Sequence, residues 1–349
     1  METLDYLIVG QGLAGSILAH QLIQKQKRIG VVDLDNGNTA SRQATGLINP
    51  VTGRRFVKSW KIDDLLPFAQ TYYEKLNISL NDDFFRSSQI LKIIHSKEQL
   101  NDFHSRSNED AYAPYLGAYQ TFSAENIYPG VGQAKIAPVL QININSLLDA
   151  LGRYIQDNAK VRQETFKHED LFIRKGFFEY KDIKATKVVF AEGYLMRFNP
   201  FFNYLPIRFA KGEALIIESE DLKIHQVISS KINISPMGKD TYYVGATYDW
   251  SSFEQSPTKA KKDYILEAFQ ESVQCTFKII DHKVGIRPTV KDRRPLLGEH
   301  PKHRNMYVFN GMGTKGLSLS PFFAQHLIHH MEYNEALYDE VNINRFHEA

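Results

Sequence analysis

The sequence holds a single cysteine, Cys275, among 349 residues. That excludes an intramolecular disulfide and any metal cage built on several thiolates. No apolar run approaches the ~18 residues needed to span a bilayer, so no membrane partner is expected. The N-terminus enters a strand-like segment by about residue 5 without the basic stretch and cleavable apolar core of a secretory leader. Charge of one dominant sign is also missing: 42 Lys and Arg stand against 40 Asp and Glu, a formal net charge of +2. No global field therefore calls for nucleic acid or an anionic membrane. Repeats, Gly/Ser linkers, a Ser/His/Asp order and a phosphate-binding P-loop are absent, and nothing points to hydrolysis or phosphoryl transfer. Together these absences predict a cytoplasmic protein of about two domains. One local excess remains, GRRFVKSWK, where Arg54, Arg55, Lys58 and Lys61 stand without an acid. It reads as a solvated face.

Against those absences stands a dense signal at residues 5–35, DYLIVGQGLAGSILAHQLIQKQKRIGVVDLD. A short apolar strand leads into Gly10, Gly12 and Gly15 in G-x-G-x-x-G spacing, and Leu13, Ile17, Leu18, Leu22 and Ile23 then recur at helical period. This is a dinucleotide-binding βαβ pattern. Gly10 permits the tight turn, Gly12 lets backbone approach a pyrophosphate, and Gly15 lets helix and strand pack closely, while the helix N-terminus turns its amides toward phosphate. Asp33, at the end of the second strand, lies 18 residues after Gly15, where a ribose ligand is expected. An acid there disfavours a 2′-phosphate, which leaves NAD and FAD undistinguished by the motif. Asp35 is the next acid in line.

Further along, 63–77 reads as a helix capped by Asp63 or Asp64, 145–157 as one capped by Asn145, and SPTKAKKDYILEAFQES as one with Pro257 at its first position. KVVFAEG (187–193), TYYVGATYD (241–249) and MYVF (306–309) read as strands, and GMGTKG (311–316) opens a helix to about Met331. In a regular strand Tyr243 and Tyr248 point to opposite faces, so only one should meet a substrate. His326, His329 and His330 share a helix face without a carboxylate or cysteine at ligand spacing, so no metal site is assigned. The glycine-rich strand-to-helix junction thus occurs near both ends of the chain. The pattern predicts an α/β fold: a Rossmann-like domain from 1–83, 141–204 and 280–349, and an inserted substrate domain on a mainly antiparallel sheet from 84–140 and 205–279.

Several segments, in order, resemble the glycine oxidase and D-amino-acid oxidase family of FAD enzymes. They are the first motif, ATGLINP (44–50), KVVFAEG, YYVGATYD (242–249), and GIRPTVKDRRPLLG (285–298) followed by NMYVFNGMGTKGLSLSPFFAQHL (305–327). The resemblance implies FAD held by Gly10, Gly12, Leu13, Ala14 and Gly15, by Asp33 and Leu34, and by Ser41, Arg42, Ala44, Thr45, Gly46 and Leu47. It extends the cofactor site to Ala191, Gly193, Arg287, Gly311, Met312, Gly313, Thr314, Lys315 and Gly316. Sarcosine oxidases of this group tether flavin through a cysteine; Gly285 aligns with it, so noncovalent FAD is implied. Catalytic roles fall to Arg287, Tyr243 and Tyr248. An arginine offers a planar fork that pairs bidentately with a carboxylate, which lysine cannot reproduce. The implied reaction is oxidation of the C–N bond of a small carboxylate-bearing amine (glycine, sarcosine or D-amino-acid-like) by hydride transfer to flavin N5. GMGTKGL also resembles the FAD half of a bifunctional tRNA wobble-uridine modification enzyme, which would make tRNA the lesser alternative partner, met through Arg54, Arg55, Lys58 and Lys61. An NAD-dependent dehydrogenase and a non-catalytic FAD-binding module stay open beside these.

Overall fold

The computed structural model describes residues 3–34, 37, 39–121 and 126–346; Asp35 lies outside them. Two large sheets organise the chain. In the first, Leu4–Val9 sits between Ile183–Phe190 and Ile29–Asp33, pairing parallel with both, and Lys160–Gln163 extends the parallel order beyond Ile29–Asp33. His303–Asn310 pairs parallel with Ile183–Phe190, so strands from both ends of the chain share one sheet. Tyr6, Leu7, Ile8 and Val9 are all buried because both faces of this sheet are covered. Tyr6 and Ile8 pack toward the helices Leu13–Gln24, Ile144–Asn158 and Gly316–Tyr333, while Leu7 and Val9 join Phe190, Met196 and Phe202 on the other side.

The second sheet runs in the order Lys278–Val290, Ile207–Glu218, Thr241–Gly245, Asn233–Gly238, Val227–Ser229, Phe85–Ile94, Gly132–Ile142, Leu47–Ile48. Its pairs are antiparallel except Val227–Ser229 with Phe85–Ile94, which is parallel. The boundary expected at 280 cuts Lys278–Val290, which pairs along its length with Ile207–Glu218 and so goes with this second sheet.

Three helix starts differ from the sequence reading. Ile62–Ser79 begins after Lys61 in a left-handed conformation (φ 49°), without a side-chain cap; Asp63 instead accepts from Tyr115 and Lys58. Ile144–Asn158 is capped by Asn143, whose side chain accepts from the Ser146 amide, two residues earlier than expected. Lys259–Gln270 is capped by Thr258, so Pro257 precedes the helix. In each case local spacing located the helix but tertiary contacts or a neighbouring polar residue chose its first turn.

Candidate functional site

At the first glycine-rich turn the geometry is tight. Gly10 has φ 98°, and a Cβ there would stand 2.5 Å from the Ala191 carbonyl oxygen; one on Gly15 would stand 1.9 Å from the Gly10 carbonyl oxygen. Only hydrogen fits between the two strand ends and the helix. Gly12 differs, because its nearest neighbour would be the Ser41 hydroxyl at 3.4 Å. It begins the helix Leu13–Gln24 without a side-chain cap, and the Leu13 amide donates to Ser41 Oγ at 3.1 Å. The remaining first-turn amides, Ala14 and Gly15 among them, have no acceptor within the helix. Asp33 stands half-buried at the end of its strand beside Gln163, Leu34 is exposed, and Arg42 pairs with Asp149 at 2.9 Å.

The ATGLINP segment is fixed to the second sheet. Gly46 has φ 78°, and its Cβ would stand 1.8 Å from the Ile142 carbonyl oxygen, so the backbones lie in contact and Ile142 donates its amide to Gly46. Leu47 and Ile48 then pair with Gln141 and Leu140, leaving Ala44 exposed and Thr45 half-buried.

From the far end of the chain, Gly311 (φ 75°) and Gly313 (φ 56°) shape the loop before Gly316–Tyr333. Gly313 donates to the Pro288 carbonyl, and Asn310 holds the carbonyl of Gly193 at 2.9 Å, which brings Gly193 beside this loop. Met312 is buried and Thr314 exposed. A Cβ on Gly316 would stand 3.2 Å from Leu13, so the two glycine-rich turns adjoin. Lys315 is half-buried with its ammonium near the Asn49 carbonyl at 3.4 Å; burial pulls its pKa down to about 8.

Arg287 projects from Lys278–Val290 opposite Ala210. Its Nη1 donates to the Thr247 carbonyl at 3.2 Å, and its guanidinium lies 4.6 Å from the centre of the Tyr248 ring. Among the described residues no carboxylate pairs with it. The space it occupies exists because residue 212 is glycine: a Cβ there would fall 2.1 Å from Nη2. The sequence reading missed Gly212. A glycine interrupting the strand FAKGEALIIE was the available signal, since such a glycine marks close approach by another group.

The two tyrosines correct the expectation of opposite faces. Gly245 stands opposite Ala214, yet Thr247 already pairs with Glu213 through its amide, so Ala246 is an extra residue in the ladder. A bulge of this kind reverses the alternation. Tyr243, opposite Ile216, and Tyr248, beyond the bulge, therefore share the face of Ala210, Gly212, Ala214 and Arg287. Tyr243 is buried, donates to the Gln43 carbonyl at 3.2 Å, and has its pKa pushed up to about 12 by burial, with Arg287 pulling the other way. Tyr242 faces the opposite side, its hydroxyl on the Leu222 carbonyl.

Two further clusters take structural roles. Arg54 pairs with Glu98, Lys58 with Asp63 and Lys61 with Glu340, so three acids, two of them distant in sequence, neutralise most of the basic run. His326 accepts from the Tyr338 amide and His329 meets the Glu335 carboxylate, while His330 bonds the Glu335 carbonyl; all three hold the segment that follows their helix. Among the described residues no helix is long and apolar enough to cross a membrane.

Residues 5–330 match the family model described as FAD dependent oxidoreductase. The tRNA 5-methylaminomethyl-2-thiouridine biosynthesis bifunctional protein MnmC of Legionella pneumophila (strain Corby) is 22% identical over 92% of this chain and 53% of its own length. The chain thus spans about half the length of that relative. Among solved structures, glycine oxidase from Geobacillus kaustophilus superposes with a TM-score of 0.85 at 20% identity, covering 97% of each chain. Iminodiacetate oxidase from Chelativorans sp. BNC1 gives 0.78 at 19% identity, covering 96% of this chain and 97% of its own.

Proposed function

Because the chain belongs to the family of FAD-dependent oxidoreductases, we propose that it oxidises the C–N bond of a small amine carrying a carboxylate, with glycine, sarcosine and D-amino acids as the substrate class. The observation that carries the reading is Arg287, a half-buried guanidinium without a carboxylate partner among the described residues. A planar fork in that position takes a carboxylate through two parallel hydrogen bonds. Thr247 and Tyr248 steady it from one side, and Gly212 leaves it room.

The residues around the two turns fit FAD. The helix beginning at Gly12 presents amides with open space before them, which suits a pyrophosphate, and Asp33 suits the adenosine ribose. Lys315, depressed by burial beside an adjoining turn, suits a group that becomes anionic. On this reading Gly10, Gly12, Leu13, Ala14, Gly15, Asp33, the 41–47 segment, Ala191, Gly193 and 311–316 hold the cofactor without a covalent link. FAD, when bound, supplies the two-electron acceptor. Arg287 fixes the carboxylate so that the Cα–H bond has one direction, and Tyr243 and Tyr248 share its sheet face. The substrate loses a hydride from Cα and a proton from nitrogen, and water hydrolyses the resulting imine to an oxo acid and an amine.

The test is anaerobic reduction of the purified yellow holoenzyme by glycine, sarcosine and D-amino acids. Arg287→Lys keeps the charge but lets the carboxylate rotate about one surviving bond, so reduction should slow by about 100-fold. The spectrum of bound FAD should stay at wild type. Near-normal reduction in Arg287→Ala would remove the carboxylate anchor and the substrate class with it.

A second reading, removal of a carboxymethyl-type group from a modified tRNA uridine, draws on the similarity to the bifunctional tRNA-biosynthesis protein. The ion pairs of Arg54, Lys58 and Lys61 count against those residues as its RNA surface.

A further inference from the structure

On the strand Ile207–Glu218, Lys211 and Glu213 flank Gly212 and therefore point to the face opposite Arg287. Both are 1% exposed. Lys211 Nζ lies 3.1 Å from Glu213 Oε1 and donates to the Ser256 carbonyl at 2.6 Å. Glu213 Oε2 accepts from the Thr258 amide at 2.8 Å, and Oε1 accepts from the Thr258 hydroxyl at 2.9 Å. His282 Nε2 lies 2.9 Å from Oε2, but burial keeps its pKa below the usual value, which leaves Lys211 as the counter-charge. A buried ion pair adds little stability over apolar side chains of the same size, because both charges lose their water. What this pair has that apolar residues lack is a set of hydrogen bonds to residues 256–258.

Those residues end a segment whose beginning holds Arg287. Thr247 and Tyr248 supply the carbonyl and the ring that the guanidinium meets. That beginning is tied to the same two strand residues through backbone. The Thr247 amide donates to the Glu213 carbonyl at 2.9 Å, the Thr247 hydroxyl accepts from the Glu213 amide at 3.0 Å, and Lys211 and Asp249 exchange both amide–carbonyl bonds. Residues 247–258 thus leave from Lys211 and Glu213 and return to them. Gly212, between the two, is the residue whose Cβ would strike the guanidinium. We propose that Lys211 and Glu213 are positioning residues for Arg287: from the far side of the sheet their ion pair closes the segment 247–258 and so holds the Thr247 carbonyl and the Tyr248 ring against the guanidinium. The proposal rests on the reading in which Arg287 takes the substrate carboxylate.

The experiment compares the wild-type holoenzyme with three variants. Lys211→Met combined with Glu213→Leu removes both charges together and strands neither. Thr258→Val keeps the ion pair but loses the hydroxyl tie, and Thr258→Ser keeps both. Labelling of Arg287 by phenylglyoxal, followed by mass spectrometry of its peptide, reads the hold on the guanidinium without any substrate. Labelling should quicken about fivefold in the double variant and about twofold in Thr258→Val, and return to the wild-type rate in Thr258→Ser. The KM for the best carboxylate amine should rise by similar factors, with a smaller change in the saturating rate of flavin reduction. In an Arg287→Ala background the double substitution should leave KM where Arg287→Ala alone puts it, because the ties then have no guanidinium to hold. A pair that served stability alone would lower Tm and shift KM equally with and without Arg287. Unchanged Arg287 labelling in the double variant, or an additive effect on KM, would overturn the positioning role. If the double variant fails to fold, loss of the hold in Thr258→Val and its rescue in Thr258→Ser decide the question. Faster labelling in an enzyme that no carboxylate amine reduces would sink the oxidation reading and keep the positioning; reduction that depends on Arg287, with labelling unchanged in every variant, would do the reverse.

Discussion

The turn at Gly10–Gly15 and the sheet face around Arg287 are both made by glycines that give way to another group, but the group differs. At the turn, Gly10 and Gly15 give way to backbone: the atoms a Cβ would strike are carbonyl oxygens of Ala191 and Gly10 itself. On the sheet face, Gly212 gives way to the end of a side chain, the Arg287 guanidinium. Backbone carbonyls fixed in a sheet cannot retreat, whereas a guanidinium can swing. The first glycines therefore protect the fold, and the second protects the position of one guanidinium.

The strongest break of this comparison is at the turn. Gly15→Ala should destabilise the apoprotein itself, seen as a lowered Tm before any cofactor is added, because the 1.9 Å contact cannot be relieved without separating helix from strand. Gly12→Val, a few residues away, should leave the apoprotein near wild-type Tm yet colourless, since its Cβ meets only a hydroxyl at 3.4 Å while its branches fill the space before the helix amides. Equal Tm losses in the two variants would deny the distinction between packing and cofactor glycines.

Beside Arg287, Gly212→Ala should retain FAD and stability but slow reduction by about tenfold through a displaced guanidinium, with a raised KM for the amine. An unaltered rate would show that Arg287 works from another position. The smallest effect is expected at Lys315. Its pKa of about 8 means the ammonium is charged below that pH and neutral above it. If the charge favours reduction, the rate ratio of wild type to Lys315→Met should be largest below pH 8 and shrink toward one as pH rises through it. A ratio flat from pH 6 to 10 would remove the charge from the reaction.

The candidate site was legible to different depths. The Rossmann-like unit, both glycine-rich turns and Arg287 could be read from local strings, because each string states its own demand: a positive φ, a close approach, or a rigid fork before proline. Gly212 could not be given a role, since the atom it avoids lies 75 residues away. The same holds for the basic run, whose partners Glu98 and Glu340 arrive from other elements.

What the sequence by itself determined was the βαβ unit with its glycine spacing and the α/β class with an antiparallel second sheet. These follow from hydrophobic period and from steric rules that act within a few residues. Only the tertiary structure decided which tyrosines meet Arg287. One extra residue, Ala246, shifts the pairing of Thr247 onto Glu213 and turns Tyr248 to the face of Tyr243. Alternation along a strand is a local rule, but the register that interrupts it is set by the neighbouring strand, and no count along the chain contains that neighbour.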